Sequence, residues 1–254
     1  MSDLGVQPAA SVTPGLSQWQ RVMNTFTAPS KTFEDIKRGH KSWWMPFILM
    51  TVLTYIFFFA ITSKISWATV ADNMVRMNPK AEERISQLTP EQRDMQMKGM
   101  RYGTEGVFAG SPILFGLGFT ALVSAALLGT INFGFGGRAT FGGVFAVCMY
   151  AFLPWLVRTV LGTIVLYSGM APESFNLNTP APTSVGSFLS PQDTNLALYT
   201  FATWLDFTTI WCIVLLGIGL ATVAGVKRSS GYIAAFGWWA LLLIINVGYV
   251  AATS

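Results

Sequence analysis

One histidine, His40, and two cysteines, Cys148 and Cys212, are all that 254 residues offer of the usual metal-binding and thiol chemistry. A single imidazole builds neither a multi-histidine metal site nor a His-Glu-x-x-His motif, and nothing else in the sequence asks for a metal or a cofactor. Both cysteines lie inside apolar runs, where a thiol behaves as a small hydrophobe, so a disulfide framework is not expected. Charge is also scarce: 11% of residues are charged and 52% hydrophobic. That balance excludes an ordinary soluble domain and identifies an integral membrane protein. The net charge of +4 therefore reads as a topology signal rather than a nucleic-acid footprint. The first 42 residues hold no apolar run and hence no cleavable leader, so the first spanning helix itself is expected to target the chain. The glycine-rich stretch Gly134-Phe-Gly136-Gly137-Arg138 through Gly143 lacks a Gly-Lys-Ser/Thr ending and dinucleotide spacing, which makes it a hairpin between helices.

What is present is a set of apolar runs long enough for about 20 residues each at 1.5 Å per residue. They predict an all-α, polytopic bundle of five transmembrane helices at about 43–63, 112–133, 141–167, 198–224 and 232–251, within a membrane domain of 43–252. Residues 1–15, small, polar and proline-punctuated, read as a disordered tail. Residues 16–42 read as an amphipathic interfacial segment: Ser17 and Gln20 have capping-box spacing, and Trp19, Val22, Met23 and Phe26 follow a helical period. The polar stretch from Lys64 to Gly106 predicts two or three short surface helices, one starting at Thr89-Pro90. Gly169 to Gln192, with four prolines and no lysine or arginine, predicts a loop on one face of the membrane.

Two charges fall within these runs, Arg158 in the third and Asp206 in the fourth. An arginine at mid-bilayer costs roughly 3 kcal/mol or more, so it should face protein, water or a counter-charge. Counting from the ends of consecutive antiparallel helices places the two residues at matching depths, which predicts an Arg158–Asp206 ion pair inside the bundle. Pro154 should kink the third span and free a carbonyl near Tyr150. Two small-residue stripes, Ala121, Ala125 and Gly129 in the second span and Gly217, Ala221 and Gly225 in the fourth, should admit close helix approach.

Five spans put the termini on opposite faces. Basic residues number five in the N-terminal segment and three in two short connections on that same side, against seven in the long first loop. The short connections favour a cytoplasmic N-terminus and an outside C-terminus.

Several segments together resemble the Yip-one family of five-span membrane proteins, in particular its bacterial members. They are Phe26-Thr-Ala-Pro29-Ser-Lys-Thr-Phe33-Glu-Asp-Ile36, Phe145-Ala-Val-Cys-Met-Tyr150-Ala-Phe-Leu-Pro154, Phe175-Asn-Leu-Asn-Thr-Pro180 with Gly186-Ser-Phe-Leu189, and Trp204-Leu-Asp206-Phe-Thr-Thr-Ile-Trp211. The likeness covers about residues 20–250. It implies the five-span fold, a bacterial cytoplasmic membrane location and a non-enzymatic scaffold or interaction role in membrane organisation or trafficking. Eukaryotic relatives bind prenylated Rab-type GTPases, but this sequence lacks their long N-terminal region and the Asp-Leu-Tyr-Gly-Pro motif, so GTPase binding is not carried over. The expected partners are the lipid bilayer and another membrane protein or a homo-oligomer, with no nucleic acid. The competing reading is a small transporter or channel using Arg158 and Asp206. An intramembrane serine enzyme would need a base, and His40 lies at the membrane edge, outside the spans.

Overall fold

In a computed structural model, which describes residues 14–253, the chain is mostly helical and has no strand among the described residues. The helices are α1 (Gln18–Thr27), α2 (Pro29–Lys37), α3 (Trp44–Lys64), α4 (Trp67–Arg76), α5 (Pro79–Ser86), α6 (Pro90–Ile113), α7 (Thr120–Gly129), α8 (Phe141–Ala151), α9 (Trp155–Tyr167), α10 (Leu196–Trp204), α11 (Phe207–Ala224) and α12 (Arg228–Thr253). The tail expected over residues 1–15 lies, for its first 13 positions, outside the described residues.

Five helical segments are long and apolar enough to cross a membrane: α3, the continuous run Pro90–Gly134 that contains α6 and α7, the pair α8 and α9, α11, and α12. Their burial divides them into two classes. The third and fourth segments are each 61% buried over their most apolar window, against 22%, 17% and 11% for the others. Hence α8 and α11 form the centre of the bundle, and α3, α7 and α12 lie around them with apolar faces turned outward. Every residue from Gly143 to Pro154 is buried.

The 16–42 segment does more than lie at an interface. A capping box between Ser17 and Gln20 starts α1, and Pro29 occupies the first turn of α2, where its missing N–H does no harm. The apolar side of the pair then docks on the bundle, with Phe33 and Ile36 fully buried. Gly219 of α11 makes room for this: a Cβ there would stand 2.4 Å from Val147 and 3.1 Å from Phe33. Only the outer side, with Trp19 and Met23, remains exposed.

The second span differs from its sequence expectation in length. Two short helices, α4 and α5, precede it, and then the capping box at Thr89 and Gln92 opens a helix that runs 45 residues, from Pro90 to Gly134. Pro112 sits inside α6 without ending it. The π-helical turn Leu114–Phe119 follows at once, the local adjustment by which a spanning helix absorbs a proline.

Pro154 falls at a break in the third span. Residues 152–154 form a turn between α8 and α9, and the carbonyl of Tyr150 accepts from the Leu153 N–H at 3.2 Å. The fourth span is broken too, a break that no proline announces. α10 ends at Trp204, and α11 begins at Phe207 with Asp206 as its N-cap.

Candidate functional site

Two buried polar constellations stand out, one at each end of the bundle. At the N-terminal end, Arg21 of α1 and Asp35 of α2 form an ion pair, Nε to Oδ2 at 2.8 Å, with side chains only 5% and 2% exposed. The remaining valences are almost all filled. Arg21 Nη1 donates to the carbonyls of His40 (2.9 Å) and Ser42 (3.2 Å), and Nη2 donates to that of Leu16 (3.2 Å). Asp35 Oδ1 accepts the Leu16 N–H, and the Thr25 and Thr32 hydroxyls both donate to the Arg21 carbonyl. On the central helix, the Tyr150 hydroxyl lies 3.0 Å from Gln18 Oε1 and 3.1 Å from the Ser42 carbonyl, either of which takes its proton. This junction fastens α1, α2 and the turn before α3 to α8. The sequence reading missed it, because Arg21 and Asp35 look like solvated residues of short helices. The one available signal was their placement on the same face as Val22 and Ile36.

At the other end is the 168–195 segment. It folds down against the helices. Pro180 packs on α9 where Gly162 has no side chain, a Cβ there being 3.3 Å from it. Gly186 likewise lets the segment meet α10, since a Cβ would stand 2.9 Å from the Thr203 backbone nitrogen. An isolated antiparallel bridge joins Ser184 to Asp206, with Val185 N–H to Leu205 O at 3.2 Å and Phe207 N–H to Thr183 O at 2.9 Å. These bonds satisfy the backbone groups that the α10–α11 break exposes. Asn73 of α4 holds the segment from above by donating to the carbonyls of Pro172 and Phe175 at 2.8 and 2.9 Å.

Arg158 and Asp206 come to this end together, but not as the expected pair. No ion pair within 4.0 Å joins them among the described residues. Arg158 Nη2 donates to the Asn178 carbonyl at 2.5 Å. Asp206, 3% exposed, caps α11 by accepting the Thr209 N–H at 2.9 Å, and takes the Thr208 and Thr183 hydroxyls at 2.5 Å each. The carboxylate acts on Arg158 only through space. The expectation failed because the fourth span breaks exactly one residue before Asp206, which turns a mid-helix acid into a helix cap. Asp206 stands about 27 Å from the far end of α11, and Arg158 about 25 Å from the start of α8, at 1.5 Å per residue. From the other side, Arg158 is about 14 Å from the end of α9, and Asp206 is separated from the start of α10 by about 15 Å.

The cap makes a stability prediction. Asp206→Ala removes an N-cap and strips the acceptor from the fully buried Thr208 hydroxyl, for a loss of about 2–4 kcal/mol. Asp206→Asn keeps an acceptor for Thr208 and Thr209 and should cost under about 1 kcal/mol. Thermal unfolding in one detergent distinguishes these from a charge pair, for which Asn and Ala would be equally harmful.

Of the small residues, Gly217 and Ala221 meet α12 closely: a Cβ on Gly217 would reach Tyr232 at 2.3 Å, and one on Gly231 would reach Ala221 at 2.9 Å. Gly225 has another role. With φ at 69° it is the left-handed C-cap of α11, and a Cβ on it would touch nothing. The stripe on α7 is uncovered: Ala125 is exposed and a Cβ on Gly129 would meet nothing within 4 Å.

Beside Arg158 is a cavity of 560 Å³, roofed by Met74 and Met77 of α4 and walled by Asn178, Tyr199, Trp204 of α10 and Asn246 of α12. The buried layer Gly143–Pro154 lies between it and the N-terminal face.

A family model described as Yip1 domain matches residues 23–249. No curated protein and no solved structure matches the chain.

Proposed function

This chain belongs to the Yip1 domain family, and from that premise we propose that it is a non-enzymatic scaffold of the bilayer, working by holding another membrane protein or a second copy of itself. The observation that carries this reading is the seal at the centre of the bundle. Gly143 to Pro154 are buried without interruption, with Met149, Tyr150 and Leu153 of that layer fully so and Leu215 and Leu220 of α11 packed beside them. A pathway between the two faces along the central helices would have to cross this buried layer. Asp206, the one acid in the central pair of spans, has its oxygens committed to Thr183, Thr208 and Thr209. That commitment leaves it a fastening of the fold. The uncovered face at Ala125 and Gly129 offers a second helix the close approach that drives association in lipid. We place the protein in a bacterial cytoplasmic membrane, with the N-terminal helices on the cytoplasmic side, from the basic residues Arg138, Lys227 and Arg228 in the short connections.

The broken span and the inward-folded segment beside Arg158 favour one competing reading, a small carrier, because discontinuous helices at a charged site are how carriers build binding sites. The two are separated by paired measurements on the intact protein. In-membrane crosslinking at positions 125 and 129 should capture a defined partner or dimer, while liposomes carrying the protein should show no more flux of small anions than empty ones. A flux abolished by Asp206→Asn in a folded protein would sink the scaffold reading.

A further inference from the structure

The cavity beside Arg158 has a chemistry of its own, which holds whether or not the protein is a scaffold. Arg158 is the only charged residue among the described residues that line it, and no carboxylate lines it. The nearest carboxylate, Asp206, has its oxygens occupied by Thr183, Thr208 and Thr209. The guanidinium spends one nitrogen on the Asn178 carbonyl, which leaves N–H donors of its fork for another acceptor. Two neutral donors stand in the same walls. Tyr199 accepts from Asn176 at 2.7 Å, so its own proton is available, and Asn246 accepts from Trp204 through Oδ1 at 3.3 Å, leaving its NH2 group. A donor-rich, acid-free cavity with one cation selects an anion. Beside neutral polar groups such as Thr200, Thr203 and Thr209, the walls carry apolar side chains, among them Met74, Met77, Trp204 and Val250, so the cavity suits an amphiphile.

We propose that this cavity binds the phosphate of a membrane lipid with net negative charge, held by Arg158 with Tyr199 and Asn246 while its glycerol and upper acyl carbons lie along Trp204 and Val250. Position supports the lipid source. Arg158 stands about 14 Å from the end of α9, and its long side chain reaches the Asn178 carbonyl of the 168–195 segment, the direction in which lipid phosphates lie. The walls given by α10 and α12 belong to helices whose neighbouring residues Leu198, Ile245 and Tyr249 are exposed and apolar or aromatic, so a lipid reaches the cavity sideways. Charge supports the choice of lipid. A zwitterionic headgroup brings an ammonium that the acid-free wall cannot pair, whereas a phosphatidylglycerol headgroup brings hydroxyls.

The full chain, purified and delipidated in a neutral detergent, is titrated with phosphatidylglycerol, phosphatidylcholine or inorganic phosphate, and bound species are counted by native mass spectrometry. One phosphatidylglycerol should be retained with an affinity about tenfold or more above that of phosphatidylcholine, the scale of a single charge-assisted hydrogen bond. Arg158→Gln should remove the preference, and Arg158→Lys should restore part of it. Thr200→Phe, which leaves the arginine and fills the cavity, covers the case in which the arginine variant fails to fold, and should remove the preference at an unchanged unfolding temperature. Excess inorganic phosphate should not displace the lipid. Equal retention of phosphatidylglycerol by wild type, Arg158→Gln and Thr200→Phe overturns the site. Arg158-dependent binding of inorganic phosphate that displaces the lipid overturns the lipid source.

Discussion

Asp35→Ala should be the most damaging single polar substitution in this protein, lowering stability by about 3–5 kcal/mol, because it leaves the Arg21 guanidinium buried without its counter-charge. The charge cannot reach water without undocking α1 and α2. That movement would also expose Phe33 and Ile36, both fully buried against α8 and α11. Two readouts are therefore expected together: a large drop in unfolding temperature, and rapid proteolysis between residues 30 and 42 well below that temperature. Replacing both partners by apolar residues of similar volume, Arg21→Met with Asp35→Leu, should recover much of the loss, since an apolar pair needs no compensation. The Leu16, His40 and Ser42 backbone groups then lose their partners, which keeps the recovery incomplete. A loss below about 1 kcal/mol for Asp35→Ala would mean that the N-terminal helices are not held by this pair.

Gly231→Ala is the second, and its interest is that a single methyl group should be enough. A Cβ on Gly231 would lie 2.1 Å from the Gly217 carbonyl oxygen and 3.0 Å from the Ala221 nitrogen, both backbone atoms of α11. Backbone cannot rotate aside as a side chain does, so α12 must move away from α11 along their whole contact. Overpacking of this kind costs about 1–3 kcal/mol where side chains can adjust, and the upper end or beyond is expected here. Gly237→Ala on the same helix is the control. Its Cβ would meet nothing within 4 Å, and helix propensity should make it neutral or stabilising by up to about 1 kcal/mol. Equal unfolding temperatures for the two variants in one detergent would show that α12 does not pack on α11 as described.

The two substitutions act through different physics. The first removes a partner from a charge that desolvation makes costly, and the second removes the space that lets two helix backbones approach. The Asp35 substitution lies at the opposite end of the bundle from the Arg158 cavity, whereas a shift of α12 would carry the cavity residues Asn246 and Val250 with it.

Much of the architecture was legible in the chain. The length of each apolar run, the capping boxes at Ser17 and Thr89, and the breaking action of Pro154 are local properties, set by neighbours a few residues away. The approach of α11 to α12 at Gly217 and Ala221 has its counterpart in Gly231, which lies outside the stripe. Hydropathy determined five spans and membership of the membrane, because an apolar residue needs only an apolar surrounding, whichever residues supply it.

What the tertiary structure alone decided concerns directed bonds. Asp206 was read as the counter-charge of Arg158 from depth alone. It became a helix cap because residues 183–185 arrive from the preceding segment and pair with the backbone at 205–207. Little local to the sequence singles out Arg21 and Asp35, and the packing of α2 on α11 buries them together. A hydrogen bond or an ion pair depends on which atoms meet at about 3 Å, and that is a property of distant segments brought together. The sequence by itself determined how many segments are apolar enough to cross a membrane. Only the fold decided which polar groups are consumed in holding them and which, at Arg158, are left facing a cavity.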